Sequence, residues 1–489
     1  MSGRQKGAVA VLLFLYLLPV WIFPFFPSQD GPSHLYNTVI FSELLSNPNT
    51  FFSKFYEINW HLFPNWAFTI IAVLLCPFFS ILTVEKIILS LYLAGFVCAV
   101  FYLFRSISAE KTVLGFGSFL FVYNWFLLMG FYNFCLSIPL ALFSLGYGIR
   151  NRGALRAPRL VVLSLLFTAL YLSHVVSFGL TVLVLVFLMA GFGEKRTRAL
   201  TGLGLAILPA SLLFIIHSLG RGKGPEPAFH APLGWLAANT LSLRIGPWFH
   251  PLEWVWLTAL WLVLGLWLVQ SLKRGRQSSS EDRAWWIVVG GVFVLSIVLP
   301  NNLLGGSALN ERLSFFVGLF LLGSLSLSAW PLPRNWLMVA FAILAGTQLM
   351  YVYLNFYEWN RRLETFQRLA IQVEHNSRLL PLVFAENDVG FYINPMLHAD
   401  NHLLSQTRSV SPTNYEGYRN YFPVQYRNDA ALAAPLDWFK PGTFLERDMA
   451  RHYDYVLLVR ADKSLLQHPA LSWFTEIASD REVRLLKHR

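Results

Sequence analysis

Apolar runs close to twenty residues long recur along this chain and leave few folds open to it. The first, Ala8 to Phe26, is long enough to span a bilayer. Others fall near 86–104, 112–130, 133–149, 160–173, 175–192, 199–217, 252–271, 285–300, 313–329 and 336–354. Inside lipid no water reaches the backbone, so each crossing must be a helix that satisfies its own amides. Composition agrees: 55% of residues are hydrophobic and 13% charged, with a mean hydropathy of +0.49. These runs predict a polytopic α-helical membrane protein of about eleven spans plus interfacial helices. Arg4 and Lys6 ahead of the first run resemble a signal peptide, but the run is long and lacks a small-residue cleavage site. It reads as a retained signal-anchor.

Charge sets the expected orientation. Residues 1–354 carry 22 Lys and Arg against 11 Asp and Glu, whereas residues 355–489 carry 16 of each. The excess of +11 therefore belongs to the loops between spans and is a topology signal, not a nucleic-acid footprint. One further apolar stretch, Trp66 to Leu82, is short and contains Pro77. If it does not cross, 16 of the 22 basic residues fall in cytoplasmic segments and six outside. If it crosses, every later basic loop moves outside. The non-crossing arrangement is expected, with an inside N-terminus, an outer loop 28–85, and residues 355–489 outside the cytoplasmic (inner) membrane. Cys76, Cys98 and Cys135 lie in apolar segments and read as small buried hydrophobes.

The tail reads as a second unit, a small extracytoplasmic α/β domain. Phe356 to Arg378 has helical spacing, and Leu379–Ala385 and Tyr453–Val459 are β-type runs. Trp473–Ile477 suggests a helix and Val483–Leu486 a closing strand. The stretch from Asn394 to Pro441 reads as loop-rich. Domain limits of 1–354 and 355–489 follow.

The loop after the first run holds the leading candidate for chemistry. It reads Gln29-Asp30-Gly31-Pro32-Ser33-His34-Leu35-Tyr36, and Asp30 is the first ionisable residue after the first crossing. An acid there, an interfacial helix behind it and a polar outer tail resemble the GT-C glycosyltransferases, among them the bacterial aminoarabinose transferases and the protein O-mannosyltransferases. That family opens its first outer loop with an acidic pair. Asp30 fits the first acid, and Gly31 replaces the second. Val84-Glu85-Lys86 resembles the start of the family's second span. Leu172-Ser173-His174-Val175 falls where relatives often carry a basic residue. Asn310-Glu311-Arg312 resembles the arginine that binds the lipid phosphate. The turn Gly130-Phe131-Tyr132-Asn133-Phe134 places Asn133 where many relatives have a second acid. With Gly31 and Asn133 at these positions, a divalent cation held by carboxylates of both loops is disfavoured, and no cofactor is called for.

Transfer of a sugar from a polyprenyl phosphate needs a base, a cation for the departing phosphate and room for the isoprenoid. Asp30 can serve as the catalytic base. Arg312 offers a planar fork of donors to a phosphate, and His174 can donate to the same group. His34, four residues after Asp30, can orient it, and Asn133 lines the same outer rim. Each residue also has a plainer reading. Asp30 or Ser33 can simply cap a helix over His34–Leu45, Arg312 can snorkel to the interface, and His174 can be a satisfied turn histidine. His398, Asp400 and His402 form an H-x-D-x-H pattern that reads as a polar loop ahead of a zinc site.

The leading function is an inverting membrane glycosyltransferase for a hexose or pentose. Its partners are a polyprenyl-phosphate donor, membrane lipid and a glycan, lipid or protein acceptor. A lipid or polymer flippase is the alternative, but transporters place ionisable groups at the midplane, and these spans are almost free of charge. A non-catalytic cell-envelope scaffold is the third reading.

Overall fold

The computed structural model describes residues 2–153, 156–192, 196–220, 229–246, 253–273, 280–302, 307–325, 327, 333–384, 393–428, 441–446, 452–480 and 482–489. The chain is mostly helical. In order come α1 (Gly3–Ile22), α2 (Gly31–Ser46), α3 (Ala67–Leu75), α4 (Ile81–Ile107), α5 (Phe119–Val122), α6 (Trp125–Met129), α7 (Tyr132–Asn151), α8 (Ala157–Ser173) and α9 (Val175–Phe192). They continue with α10 (Arg196–Gly220), α11 (Leu233–Ser242), α12 (Glu253–Lys273), α13 (Ser280–Val298), α14 (Leu309–Ser324), α15 (Arg334–Ala370) and α16 (Asp400–Thr407). Among the described residues, seven helical stretches are long and apolar enough to cross a membrane: α1, α4, residues 109–129, α7, α10, α12 and α15. The helices α8 and α9 are equally apolar but shorter.

Two elements differ from the simplest reading of the hydrophobic runs. The run 112–130 is not one helix: a 3-10 stretch (Ala109–Ser118) leads into α5, and the backbone breaks at Tyr123 before α6. Asn124 makes that break stable. Its Oδ1 accepts from the Leu127 N–H at 3.0 Å, and its amide donates to the Tyr92 hydroxyl and the Phe121 carbonyl, both at 2.8 Å. The second is α3, which has nine residues. At 1.5 Å rise each it extends about 13 Å, too short to cross.

The apolar core is threaded by a few buried polar pins. Tyr123 donates to the Tyr16 carbonyl at 2.7 Å, and Tyr16 in turn to the Ala345 carbonyl at 2.9 Å, which ties α1, α5 and α15 together. Gln348 of α15 donates to the Leu120 and Ile245 carbonyls at 3.0 and 3.2 Å. The two Gln348 bonds satisfy backbone carbonyls that helix ends leave open in an apolar surround.

The α15 helix continues without interruption past residue 354, so the expected span 336–354 and the helix from Phe356 are one 37-residue element. Beyond it lies a four-stranded sheet in the order β2-β4-β6-β5, built from β2 (Leu379–Val383), β4 (Tyr455–Val459), β5 (Phe474–Ser479) and β6 (Val483–His488). β2 and β4 are parallel, and the other pairs are antiparallel. Phe474–Ser479 is thus a strand where a helix was expected. Thr475 and Ile477 are β-branched, and the segment pairs with β6 across a register shift between Glu476 and Ala478. The stretch expected to be loop-rich contains α16 and β3 (Val424–Tyr426).

This C-terminal unit is tied to the segment between α1 and α3. β3 pairs antiparallel with β1 (Tyr56–Ile58), and α16 packs on α2. Asn37 and Asn414 exchange amide hydrogen bonds at 2.9 and 2.8 Å, Tyr36 donates to the Ser409 carbonyl at 2.7 Å, and Asn401 donates to Ser33 at 3.2 Å. With neighbours on every side, α2 is buried almost all round from Gly31 to Thr38, which explains why its sequence shows no amphipathic period.

Candidate active site

Asp30 is held by backbone before its side chain is considered. Asn360 of α15 brackets Phe25, accepting from its N–H at 2.8 Å and donating to its carbonyl at 3.0 Å. The next contacts come from the end of α6, where the Leu128 and Met129 carbonyls each accept at 2.9 Å from the N–H groups of Gln29 and Asp30. Gly130 closes α6 at φ +86°, and a Cβ there would lie 2.4 Å from the Gly31 nitrogen. A side chain at Gly31 would lie 2.1 Å from Ser28 Oγ and 2.3 Å from Tyr132 Oη. Both glycines are thus fixed by close approach. A carboxylate at position 31 would have to displace the Ser28 and Tyr132 hydroxyls.

The Asp30 carboxyl does not cap the following helix. α2 begins at Gly31, earlier than the expected His34, with Pro32 in its first turn and no side-chain cap. Instead Asp30 accepts from the Gln29 amide at 3.3 Å, its Oδ1 stands 3.7 Å from His398 Nε2, and Tyr415 lines the cavity beside it. Burial pushes its pKa up to about 7, partly opposed by His34.

His34 sits one turn along α2. Its Nδ1 pairs with Glu416 Oε1 at 2.8 Å, with both side chains buried. Burial alone would lower the pKa of this ring, but Glu416, Asp30 and the Gly130 carbonyl together outweigh it and hold the ring above the ordinary histidine value. His398 behaves oppositely: burial, then the charge of His34, takes it down to about 3 and keeps it neutral.

All five residues expected at the site (Asp30, His34, Asn133, His174 and Arg312) line one cavity of about 580 Å³, a volume in the usual range for small-molecule sites. Arg312, in the first turn of α14, is buried with its guanidinium 5.2 Å from the Phe131 and Phe134 rings, and it donates to the Ser307 carbonyl. Its Nε has no hydrogen-bond partner, and among the described residues no carboxylate pairs with it. Such an orphaned donor in a buried cation is costly unless an anion joins it. His174 lies in the turn between α8 and α9, where burial and then Arg312 hold it well below the ordinary value. Its Nδ1 accepts from the Val176 N–H at 3.2 Å, so the proton of the neutral ring sits on Nε2. Asn133 has a structural job, accepting from the Phe68 N–H at 2.8 Å at the start of α3.

Below the polar groups the wall is apolar. Val176, Gly179, Leu180 and Leu183 share one face of α9 over about 10 Å, and Leu295 and Leu299 flank them from the end of α13. Gly179 and Leu183 are exposed as well, so protein does not close off this wall.

The sequence did not point to the C-terminal contribution. Tyr415, Tyr421 and Phe422 line the cavity, and Glu416 and His398 pair with two of its residues. The H-x-D-x-H stretch is therefore no exposed polar loop. His398 faces Asp30, Asp400 accepts from Thr413 at 3.3 Å, and the His402 ring packs 4.8 Å from Phe25. The three diverge, and among the described residues no group of His, Cys, Asp and Glu gathers to hold a metal. The density of aromatics from Tyr415 to Tyr426 was the available clue to a buried role.

No family model matches the sequence, and no curated protein matches it. Solved structures do. ArnT from Cupriavidus metallidurans in the apo state aligns over 99% of this chain and 98% of its own, with a TM-score of 0.58 at 13% identity. The chain has a GT-C-like fold. The same ArnT bound to undecaprenyl phosphate aligns over the same shares with a TM-score of 0.56 at 13% identity. A mutant form of the arabinofuranosyltransferase AftD from Mycobacteria gives 0.51 at 15% identity, with all of this chain matching 42% of that one. At such identities the likeness speaks for the GT-C-like architecture.

Proposed function

We propose that this GT-C-like protein is an inverting membrane glycosyltransferase. It moves a sugar from a polyprenyl phosphate to an acceptor hydroxyl at the outer face of the cytoplasmic membrane. The observation that carries the reading is one cavity in which a half-buried carboxylate, Asp30, and a buried cation without a carboxylate in ion-pair contact, Arg312, meet beside an apolar wall. ArnT, of like fold, has been seen with undecaprenyl phosphate, which supports a lipid carrier here. Sidedness rests on the charge of the loops, which puts the Asp30 loop, the His174 turn and the C-terminal unit outside.

In the proposed reaction the acceptor oxygen attacks the anomeric carbon as Asp30 takes its proton. The bond to the phosphate oxygen breaks, and the lipid phosphate leaves carrying the electron pair. Arg312 and the Nε2–H of His174 stabilise that charge. The isoprenoid lies along α9 and leaves the bundle past Gly179 and Leu183. Asp30 with a pKa of about 7 is matched to base catalysis near neutral pH.

The test is transfer from synthetic polyprenyl-phosphate hexoses and pentoses by the purified protein in detergent. Product formed by wild type and lost with Asp30→Asn supports the reading. Absence of product with every donor, from protein that binds the lipid phosphate, would favour a scaffold or carrier.

A further inference from the structure

Asp30 is carried by the N-terminal loop, but the groups that govern its charge come from the other end of the chain. Facing the His34 ring are Asp30 from the start of its own helix, Glu85 from α4, and Glu416 and His398 from the C-terminal unit. The rings of Phe68, Tyr132 and Phe422 and the Gly130 carbonyl complete the surround. Of the carboxylates, Glu416 makes the close contact, 2.8 Å from Nδ1 with both side chains under 10% exposed. Glu85 is occupied elsewhere, accepting from Tyr132 at 2.5 Å. The neighbour of Glu416, Tyr415, lines the same cavity as Asp30.

We propose that Glu416 is a positioning residue that keeps His34 charged beside Asp30, so that the C-terminal unit sets the reactivity of a base it does not carry. The proposal deepens the glycosyltransferase reading and rests on Asp30 as its base. A buried imidazolium needs a counter-charge, and a buried carboxylate gains from a cation nearby. Without Glu416, His34 loses its proton at neutral pH and Asp30 loses the positive charge that most opposes its burial. The direct repulsion between Glu416 and Asp30 acts the other way but is the smaller effect.

The experiment compares wild type, Glu416→Gln, His34→Gln and the double variant, each by pH–rate profile and by thermal unfolding from pH 5 to 9. In Glu416→Gln the acid limb should move up by about one pH unit, and the rate at pH 7 should fall roughly fivefold, the loss of ionised base that such a shift implies. His34→Gln should do the same, and the double variant should add little, because both act through one ring. The folded-state pKa of His34 is raised, so the stabilisation by the pair is full below the unfolded value of 6.5 and fades as pH rises through the folded one. The melting temperature of Glu416→Gln should therefore fall short of wild type at pH 5.5 and approach it toward pH 9. Should that variant not fold, Glu416→Asp gives the same shifts at smaller size. An unmoved acid limb, additive effects, or a melting difference independent of pH would overturn the proposal. A pH-dependent melting difference in protein that transfers no sugar would leave the ion pair standing and remove the reading of Asp30 as base.

Discussion

Around Asp30 the protein supplies the matching groups itself: the Gln29 amide and a histidine paired with Glu416. Around Arg312 it supplies two aromatic faces and one backbone carbonyl, and among the described residues no carboxylate in ion-pair contact, Glu311 acting only from farther off. Arg244 shows that the second arrangement is not the default for a buried arginine in this fold. Fully buried, it stacks 4.4 Å over Trp125 and pairs with Glu311 at 3.4 Å, the residue next to Arg312. One region is finished by folding. The other leaves a cation for an anion to complete, and under the proposed reaction that anion is the departing lipid phosphate.

The largest effect should come from breaking the finished region. Asp30→Asn keeps the shape and removes the base, and transfer should fall by about two to four orders of magnitude with expression and folding intact. Full activity would end the assignment of Asp30 as base. The two arginines come next. Arg244→Ala strands Glu311 in the interior and should cost about 3–5 kcal/mol in unfolding free energy, with donor affinity unchanged in whatever protein folds. Arg312→Ala should leave stability nearly unchanged and weaken donor binding roughly tenfold to a hundredfold, the scale of a charged hydrogen bond. Arg312→Lys should fall between, because a point charge replaces a bidentate fork. Equal donor affinity in wild type and Lys variant would reduce Arg312 to an interfacial anchor.

A smaller effect separates the regions by pH. The Asp30 pKa is raised from 3.8 to about 7 in the folded protein, so the native state binds that proton more tightly than the unfolded chain. The resulting stability is full below pH 3.8 and lost as pH rises to about 7. Asp30→Asn should therefore be more stable than wild type at pH 8, by up to about 4 kcal/mol, and no more stable at pH 4. The rate of the wild type should rise with pH through about 7 as the base ionises. Thermal unfolding and initial rates across that range check both signs.

What the sequence disclosed follows the physics of each region. Bilayer-length apolar runs and loop charge are local signals, and they suffice for a helical membrane protein with Asp30 at the lip of α1. The break at Asn124 stayed hidden because a run of apolar residues reads alike whether one helix or two short ones carry it. Phe474–Ser479 was misread for the same reason, being short and decided by its pairing with β6. The contribution of Glu416 and His398 was out of reach, since they meet residues more than 360 positions away in the chain. Even so, Asp30, His34, Asn133, His174 and Arg312 were all legible as polar groups near predicted helix ends, and they line one cavity. The role of Asn133 at the head of α3 was not visible, because it depends on where Phe68 comes to rest.

The central claim is that Arg312 waits for a phosphate while Asp30 waits for a hydroxyl in the same cavity. A cryo-EM structure of the wild type with a long-chain polyprenyl phosphate tests it most directly. The account predicts phosphate density against Arg312 and His174, with the isoprenoid running along Val176, Gly179, Leu180 and Leu183 and the Asp30 carboxyl facing the open side of the phosphate. A phosphate bound at the basic loops around Arg150–Arg159, or a lipid in the cavity with Arg312 left uncontacted, would contradict it.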